Sequence, residues 1–491
     1  MSAITGVFGK SVNEDQLKKM VDTMKHRGPD NFYVLALNNS GAAASEINIS
    51  SRSTAAMAGS EYPVVLFDGD IYNEDIPDGK SNAEYIREQY IQKGKSCFSG
   101  LEGSFACAVI EEKEALLARD HVGSRPVIYN HEDGVLYFSS EAKGLLGLVD
   151  SVEELPPGKI LSSRDGMTSF DGFMPSLPDF ETAEEAAEIL EKLLVKAVEK
   201  RMNDGAVRDI ALSGGLDSSI IASVAKSINP DIRLFSTTIK RSPSKDIKFA
   251  KLMAEYLDLE HKIYEISDQE LQEVIPEAVW VMETFDEDCI SGAVANYYTS
   301  KYIKSNGGNC ILCGEGADEL FGGYFRELKD IPDEAEKERI AKKLVQIAYN
   351  TALRRLDRAW MANSIHYRTP FLDPEVVEFS NKIPMGMKVK FDETQNRPVE
   401  KWILRQAMRK WLPEEVFNRP KLRFAGGTGV DDIIAELTAD KASEEDLKQN
   451  PVSNAGLKLF SPRELYFYRL FKQYFPADGY ETMIDRWDPF K

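Results

Sequence analysis

Cysteine, histidine and tryptophan are scarce in this chain, five of each in 491 residues. The cysteines (Cys97, Cys107, Cys289, Cys310, Cys313) form an odd, sparse set, which excludes a disulfide-stapled scaffold and points to a reducing cytoplasm. Cys310 and Cys313 have redox or metal spacing, but Ile311 and Leu312 between them read as buried strand and no second pair accompanies them, so plain core cysteines are expected. Basic charge is also short. Against 80 Asp and Glu there are 60 Lys and Arg, a net charge of −20, which argues against non-specific contact with nucleic acid or an anionic membrane. No apolar run approaches the ~20 residues that cross a bilayer. The first residues lack a basic segment followed by an apolar core, so no signal peptide is expected. What remains is an ordinary soluble balance, 43% hydrophobic and 29% charged, in a chain long enough for two or three domains.

The most informative stretch is residues 210–219, Ile-Ala-Leu-Ser-Gly-Gly-Leu-Asp-Ser-Ser. Ile210 to Leu212 read as the end of a buried strand, Ser213-Gly214-Gly215 as a sharp turn, and Ile220 to Ala225 as the continuation of a helix. A strand, a Gly-rich turn and a helix start together make an anion site, because free N–H groups and the helix dipole converge there. This is not a Walker loop, which needs a longer Gly-spaced loop ending in Gly-Lys-Ser/Thr. The Ser-Gly-Gly-Leu-Asp-Ser-Ser string resembles the pyrophosphate loop of the N-type ATP pyrophosphatases, which cleave ATP to AMP and pyrophosphate. The resemblance implies ATP and Mg²⁺ as cofactors. Leu212, Ser213, Gly214, Gly215, Leu216, Asp217, Ser218 and Ser219 would surround ATP and its pyrophosphate, with Asp217 on the metal.

Residues 1–150 alternate short apolar runs (Ile4–Phe8, Val34–Leu37, Val64–Phe67, Phe105–Ile110, Ala115–Ala118, Val135–Phe138) with turns, and helical stretches fall at 14–25 and 81–93. That density of strands predicts an α+β domain of stacked antiparallel sheets. Several segments occur in the order of a class II glutamine amidotransferase domain: Met1 to Phe8, His26-Arg27-Gly28-Pro29-Asp30, Asp68 to Asn73, Leu101 to Ala106, and Ala118 to Pro126. That domain is the N-terminal nucleophile glutaminase of the asparagine synthetase B family, and the resemblance runs along most of the chain.

The departures from that family's glutaminase site are as informative as the matches. The family nucleophile is a Cys after the initiator Met, and here it is Ser2. The oxyanion donor is the Asn of an Asn-Gly-Glu turn, replaced here by Asp68-Gly69-Asp70. An ionised carboxylate cannot donate to an oxyanion and would repel it. The Asp that holds the glutamine amine appears as Asn82, and Arg52 occupies the neighbourhood of the carboxylate-binding Arg. The expectation is a glutaminase fold without efficient glutaminase activity.

Turn-rich segments at Pro156-Pro157-Gly158 and 172–178 place a boundary between 172 and 180, dividing the chain into an amidotransferase-like domain, 1–172, and a synthetase-like domain, 180–491. Apolar positions at Ala186, Ile189, Leu190, Leu193, Leu194 and Ala197 predict a helix over 182–202. Beyond it, Leu234–Ile239, His261–Ile266 and Cys310–Cys313 read as strands alternating with helices. That alternation predicts a parallel, doubly wound α/β sheet with its ligand at the strands' C-terminal ends.

Gly314-Glu315-Gly316-Ala317-Asp318-Glu319 resembles the Gly-Glu-Gly-Ser-Asp-Glu segment of asparagine synthetases. The resemblance implies Asp318 as second metal ligand, Gly314 beside the adenosine and Glu315 beside the attacking amine. Lys421 matches a family Lys that would stabilise the adenylate and the departing pyrophosphate, and Arg368 to Asp373 resembles Arg-Val-Pro-Phe-Leu-Asp. On the substrate side, Ser291 stands where the family has Arg, and His366 where it has Glu.

These parts imply adenylation of a carboxylic acid and amide formation with ammonia, aspartate being the best specific acid. The rivals are a β-lactam-synthetase-like cyclase, an amide ligase for another acid, and a non-catalytic homologue. Homodimer formation is an expectation from the resemblance alone.

Overall fold

A computed structural model describes residues 2–49, 55–173, 175–325, 331, 333–392, 397–420 and 429–486. The N-terminal half holds two six-stranded antiparallel sheets. The first runs Glu153–Glu154, Ile128–Glu132, Val135–Ser139, Ser2–Phe8, Ser40–Glu46, Asn31–Leu37, and the second Gly166–Ser169, Lys159–Ser162, Ala115–Arg119, Gly103–Ile110, Val64–Ile71, Met57–Ala58. Because side chains alternate along a strand, each sheet feeds two cores. Ile4, Phe8, Ala42 and Ala44 meet Val64, Leu66, Ala106 and Ala108 between the sheets. On the outer face of the second sheet, Val65, Phe67, Cys107 and Val109 pack on helix Asn82–Lys93.

Strand Ser40–Glu46 (Ser-Gly-Ala-Ala-Ala-Ser-Glu) carries no large apolar residue, so it is missing from the strands expected above. Its residues are nonetheless fully buried. A Cβ at Gly41 would lie 2.7 Å from Leu17 Cδ1, so small residues here let helix Glu14–Asp22 lie directly on the sheet. The stacked sheets between helices are those expected of an N-terminal nucleophile fold.

Helix Ala183–Met202 opens the second half with a capping box, Thr182 accepting from Glu185 N–H and Glu185 returning the bond. Its stripe of Ala186, Leu190, Leu194 and Ala197 is buried. A five-stranded parallel sheet follows, in the order His261–Ile266, Arg233–Ile239, Asp209–Ala211, Cys310–Leu312, His366–Arg368. Four of these strands were expected. The fifth, at the sheet edge, was not, because its three residues (His-Tyr-Arg) carry no apolar run.

All five cysteines are buried and free, and burial pushes the Cys310 thiol up to about 12. They are core residues. Among the described residues, no helix is long and apolar enough to cross a membrane.

Candidate active site

The parallel sheet ends on an open cavity, lined among others by Leu212, Ser213, Asp217, Ser218, Gly314, Glu315 and Asp318. Strand Asp209–Ala211 stops, the chain turns through Ser213-Gly214-Gly215, and helix Leu216–Ile228 begins with Gly215 as N-cap. Gly215 has no side chain to cap the helix, so the first N–H groups remain directed at the turn. Gly214 has φ +79°, and a Cβ there would press on the Asp246 carbonyl and the Ala250 N–H. Only glycine takes that turn without strain.

The serines brace the loop. Gly215 N–H donates to Ser213 Oγ at 3.2 Å, the Ser213 and Ser218 hydroxyls lie 3.0 Å apart, and Ser219 Oγ donates to the Gly215 carbonyl at 2.7 Å. Arg419 clamps it from outside, donating to the Gly214 carbonyl and pairing with Asp246.

Segment Gly314–Asp318 meets this loop closely enough that a Cβ on Gly314 would lie 2.9 Å from both Asp217 Cβ and Ser218 N. The contact brings Asp217 and Asp318 onto one cation, Lys401 Nζ, which lies 2.6 Å from Asp217 Oδ2 and 2.5 Å from Asp318 Oδ1. Lys401 is buried. Burial alone would lower its pKa, but the two carboxylates hold it above the usual lysine value.

Two carboxylates converging on one positive charge are a donor set suited to a hard divalent cation. The residues present therefore fit Mg²⁺, with the ammonium marking the place of positive charge. Lys401 was missed at the sequence level, since a lone Glu-Lys before a helix carries no motif. Lys421, expected to provide the cation, lies outside the described residues.

Glu315 lines the same cavity. Burial raises its pKa, with the Arg355 guanidinium opposing, so its carboxyl is a better proton acceptor than a surface glutamate. Ser291, at the position where the resemblance called for a cation, is buried and its hydroxyl has no hydrogen-bond partner among the described residues.

His366 does not line this cavity. It sits across the junction between the two halves, its Nε2 2.7 Å from Asp70 Oδ2, and Arg368 two residues on donates to Asp70 Oδ1 at 3.0 Å. Alternation along strand His366–Arg368 aims both side chains at Asp70. The role assigned to His366 beside the substrate thus has no geometric support, and its place is in the contact between halves.

That contact lies beside the glutaminase-like site. Ser2 N–H donates to Asp68 Oδ1 at 2.8 Å, and Arg27 donates to Asp68 Oδ2 at 3.0 Å. The same guanidinium reaches Glu141 at 2.8 Å and Asp357, from the second half, at 2.6 Å. Gly69, between the two aspartates within strand Val64–Ile71, takes φ +133°. A cavity adjoins Ser2, Gly69, Asp70 and Asn82, and Asp204 and Arg368 of the second half help to line it. Arg52 lies outside the described residues. Both aspartates that replace the expected Asn and Glu are therefore tied into ion pairs. Burial would raise the Asp70 pKa, but the charge of Arg368 and the hydrogen bond with His366 hold it well below the usual carboxylate range.

Burial drives the His366 imidazole down to about 3, with Asp70 opposing. The folded chain keeps it neutral, whereas the unfolded chain protonates it near the ordinary 6.5. A depressed folded pKa gives stability that is complete above the unfolded value and is lost as pH falls toward the folded one. Between pH 7 and pH 5 this group alone is expected to remove about 2 kcal/mol. Urea unfolding of wild type and His366→Gln across that range checks it, the variant showing the shallower slope. Equal slopes would mean that His366 is not held neutral.

The family model for asparagine synthase matches residues 189–344 and 331–459, and that for the glutamine amidotransferase domain matches residues 1–163. The chain is 28% identical to asparagine synthetase B [glutamine-hydrolyzing] of Escherichia coli (strain K12), over 97% of this chain and 92% of that one. It is 26% identical to a probable asparagine synthetase [glutamine-hydrolyzing] of Dictyostelium discoideum, over 100% of this chain and 96% of that one. With asparagine synthetase [glutamine-hydrolyzing] 1 of Arabidopsis thaliana the identity is 28%, over 98% and 87%. The stacked antiparallel sheets, the parallel sheet ending on a Gly-rich loop and these matches agree: the chain belongs to the asparagine synthase family of ATP-dependent ligases.

Proposed function

We propose that this chain adenylates a carboxylic acid, aspartate being the leading candidate, and transfers the acyl group to ammonia taken from solution rather than from glutamine. One contrast carries the reading. The ATP-side loop, Asp217, Asp318 and Glu315 share one cavity, whereas Asp68 and Asp70 of the glutaminase-like site are consumed by Arg27, Arg368 and His366.

The substrate carboxylate attacks the α-phosphorus of ATP, forming an acyl-adenylate and releasing pyrophosphate. Ammonia then attacks the acyl carbon, AMP leaves with the bond electrons, and an amide results. The N–H groups at the start of helix Leu216–Ile228 face the departing pyrophosphate and stabilise its growing charge. Mg²⁺ held by Asp217 and Asp318 would supply further positive charge against the phosphates. Glu315, raised by burial, accepts the proton lost by the attacking amine.

At the other site Ser2 is a hydroxyl nucleophile, and the oxyanion position carries an acceptor-only carboxylate. Loss of one oxyanion donor alone lowers such reactions by ~10²–10³-fold.

The test is pyrophosphate release with Mg-ATP and a panel of acids led by aspartate, each with ammonium or glutamine. Release is expected with ammonium and not with glutamine, and glutamine alone is expected to yield no glutamate. Ser2→Cys by itself is expected to leave that unchanged, because Asp68 still stands in the oxyanion position. Glutamine-driven release at the ammonium rate would overturn the nitrogen-source reading. Absence of acid-dependent release would overturn adenylation.

A further inference from the structure

Helix Ala317–Phe321, which carries Asp318 and Glu319, has a second cavity behind it. Glu319 lines this cavity and the ATP-side one, so the helix stands between the two. Helix Glu334–Ile347 and the chain from Ser380 to Lys388 form the remaining walls. Lys388 ends the one-turn helix Met385–Lys388. A Cβ on Gly322 would lie 3.5 Å from the Lys388 Cβ, so the lysine stem is held against the end of helix Ala317–Phe321. Neighbouring lysines have partners: Lys382 donates to Asp179 at 3.0 Å, and the Lys390 ammonium lies 3.5 Å from the centre of the Trp402 ring. The Lys388 amine lines the cavity with no hydrogen bond or ion pair among the described residues.

The lining suits an uncharged amine. Glu319 and Glu338 offset Lys342 and Lys382, so the charges of the cavity balance when Lys388 carries none. Burial lowers the Lys388 pKa from 10.5 to about 8, with Glu338 opposing the shift and Lys342 adding to it. At pH 7 roughly a tenth of such amines are neutral, about 300-fold more than for an ordinary lysine. Leu320, Val345, Ile383 and Met385 complete the lining with apolar surface. A neutral amine beside apolar surface is a nucleophile with room for a short carbon chain.

We propose that Lys388 is a covalent modification site, its amine taking a short acyl group from an acyl phosphate in solution. The nitrogen lone pair adds to the acyl carbon, the C–N bond forms, and the acyl C–O bond breaks. Phosphate leaves with the electrons of that bond, and the proton lost by nitrogen goes to water. The amide so formed is uncharged, which keeps the balance of Glu319, Glu338, Lys342 and Lys382, and its alkyl end has apolar surface to cover. An addition that created a negative charge, such as a carbamate from carbon dioxide, would upset that balance. The site is independent of the adenylation reading, because helix Ala317–Phe321 separates it from the ATP-side cavity.

The full-length chain is incubated with acetyl phosphate between about pH 6.5 and pH 10, and acetylation of each lysine is followed by peptide mass spectrometry. Lys25 and Lys448, both exposed, serve as references. At pH 7 Lys388 is expected to react at least about tenfold faster than either, the gain in neutral amine outweighing its weaker nucleophilicity. Its rate is expected to level off above about pH 9, whereas the rate of an ordinary lysine still climbs there. Two exposed neighbours test the surroundings without touching the core. Lys342→Gln removes a like charge, raises the Lys388 pKa and is expected to slow its acetylation at pH 7 by about two- to fivefold. Glu338→Gln removes an opposite charge and is expected to speed it by a similar factor. Acetylation of Lys388 no faster than of the references would overturn the site. So would a rate that climbs with theirs through the whole range, or two variants that fail to move it in opposite directions.

Discussion

Asp217→Asn is expected to lower acid-dependent pyrophosphate release on the order of 10³-fold with little change in global stability. The carboxylate stands at the start of a helix, within 2.7 Å of Lys401, where it and Asp318 concentrate negative charge on one point. An amide keeps the shape and removes the charge, so the loop stays folded while the cation it would hold binds far less well. Asp318→Asn is expected to do the same.

The double variant is expected to be little worse than either single one, because two residues acting on one cation are not independent. Lys401→Met gives the complementary result. Two partly buried carboxylates then face each other without a counter-charge, so the variant is destabilised in chelator and recovers more on adding Mg²⁺ than wild type does. Thermal unfolding with and without Mg²⁺ reads that difference without any turnover. A fall of less than about tenfold in Asp217→Asn would remove the carboxylate pair from the mechanism.

Arg27→Ala is expected to destabilise the chain by about 3–5 kcal/mol, the usual result of removing one partner from a buried ion network. The guanidinium is fully buried and serves three carboxylates, Asp68, Glu141 and Asp357, all of them buried as well. Its pKa lies well above the usual value despite the opposing effect of burial, because these charges surround it.

Asp357 belongs to the second half of the chain, and from there the network continues through Arg358 to Glu283 and Lys143. Loss of Arg27 therefore strikes the contact between halves, and urea unfolding is expected to separate into two transitions. Arg27→Lys recovers only part, since an ammonium lacks the planar fork that reaches three acceptors. A loss below about 1 kcal/mol with a single transition would mean that other contacts hold the halves together.

The sequence by itself determined the local chemistry of this protein. Ile210 to Ser219 specified strand, turn and helix because each step is a short-range effect: an apolar run, a glycine able to take positive φ, and a helix start. Helix Ala183–Met202 was legible from its apolar stripe, and Gly314 to Asp318 from its resemblance to the family segment. The substitutions at Ser2, Asp68 and Asn82 were also visible, since a missing thiol or donor is a property of one residue.

Tertiary structure alone decided what met what. Ser40–Glu46 became a central strand because a helix needed small residues beneath it, which no pattern of large apolar residues announces. Lys401 reached Asp217 across 184 residues, and His366 reached Asp70 across 296. Such pairings are fixed by how sheets and helices stack, and burial then sets their charge. His366, chemically suited to a substrate pocket, is instead a neutral group in the seam between the halves because its edge strand docks on Asp70.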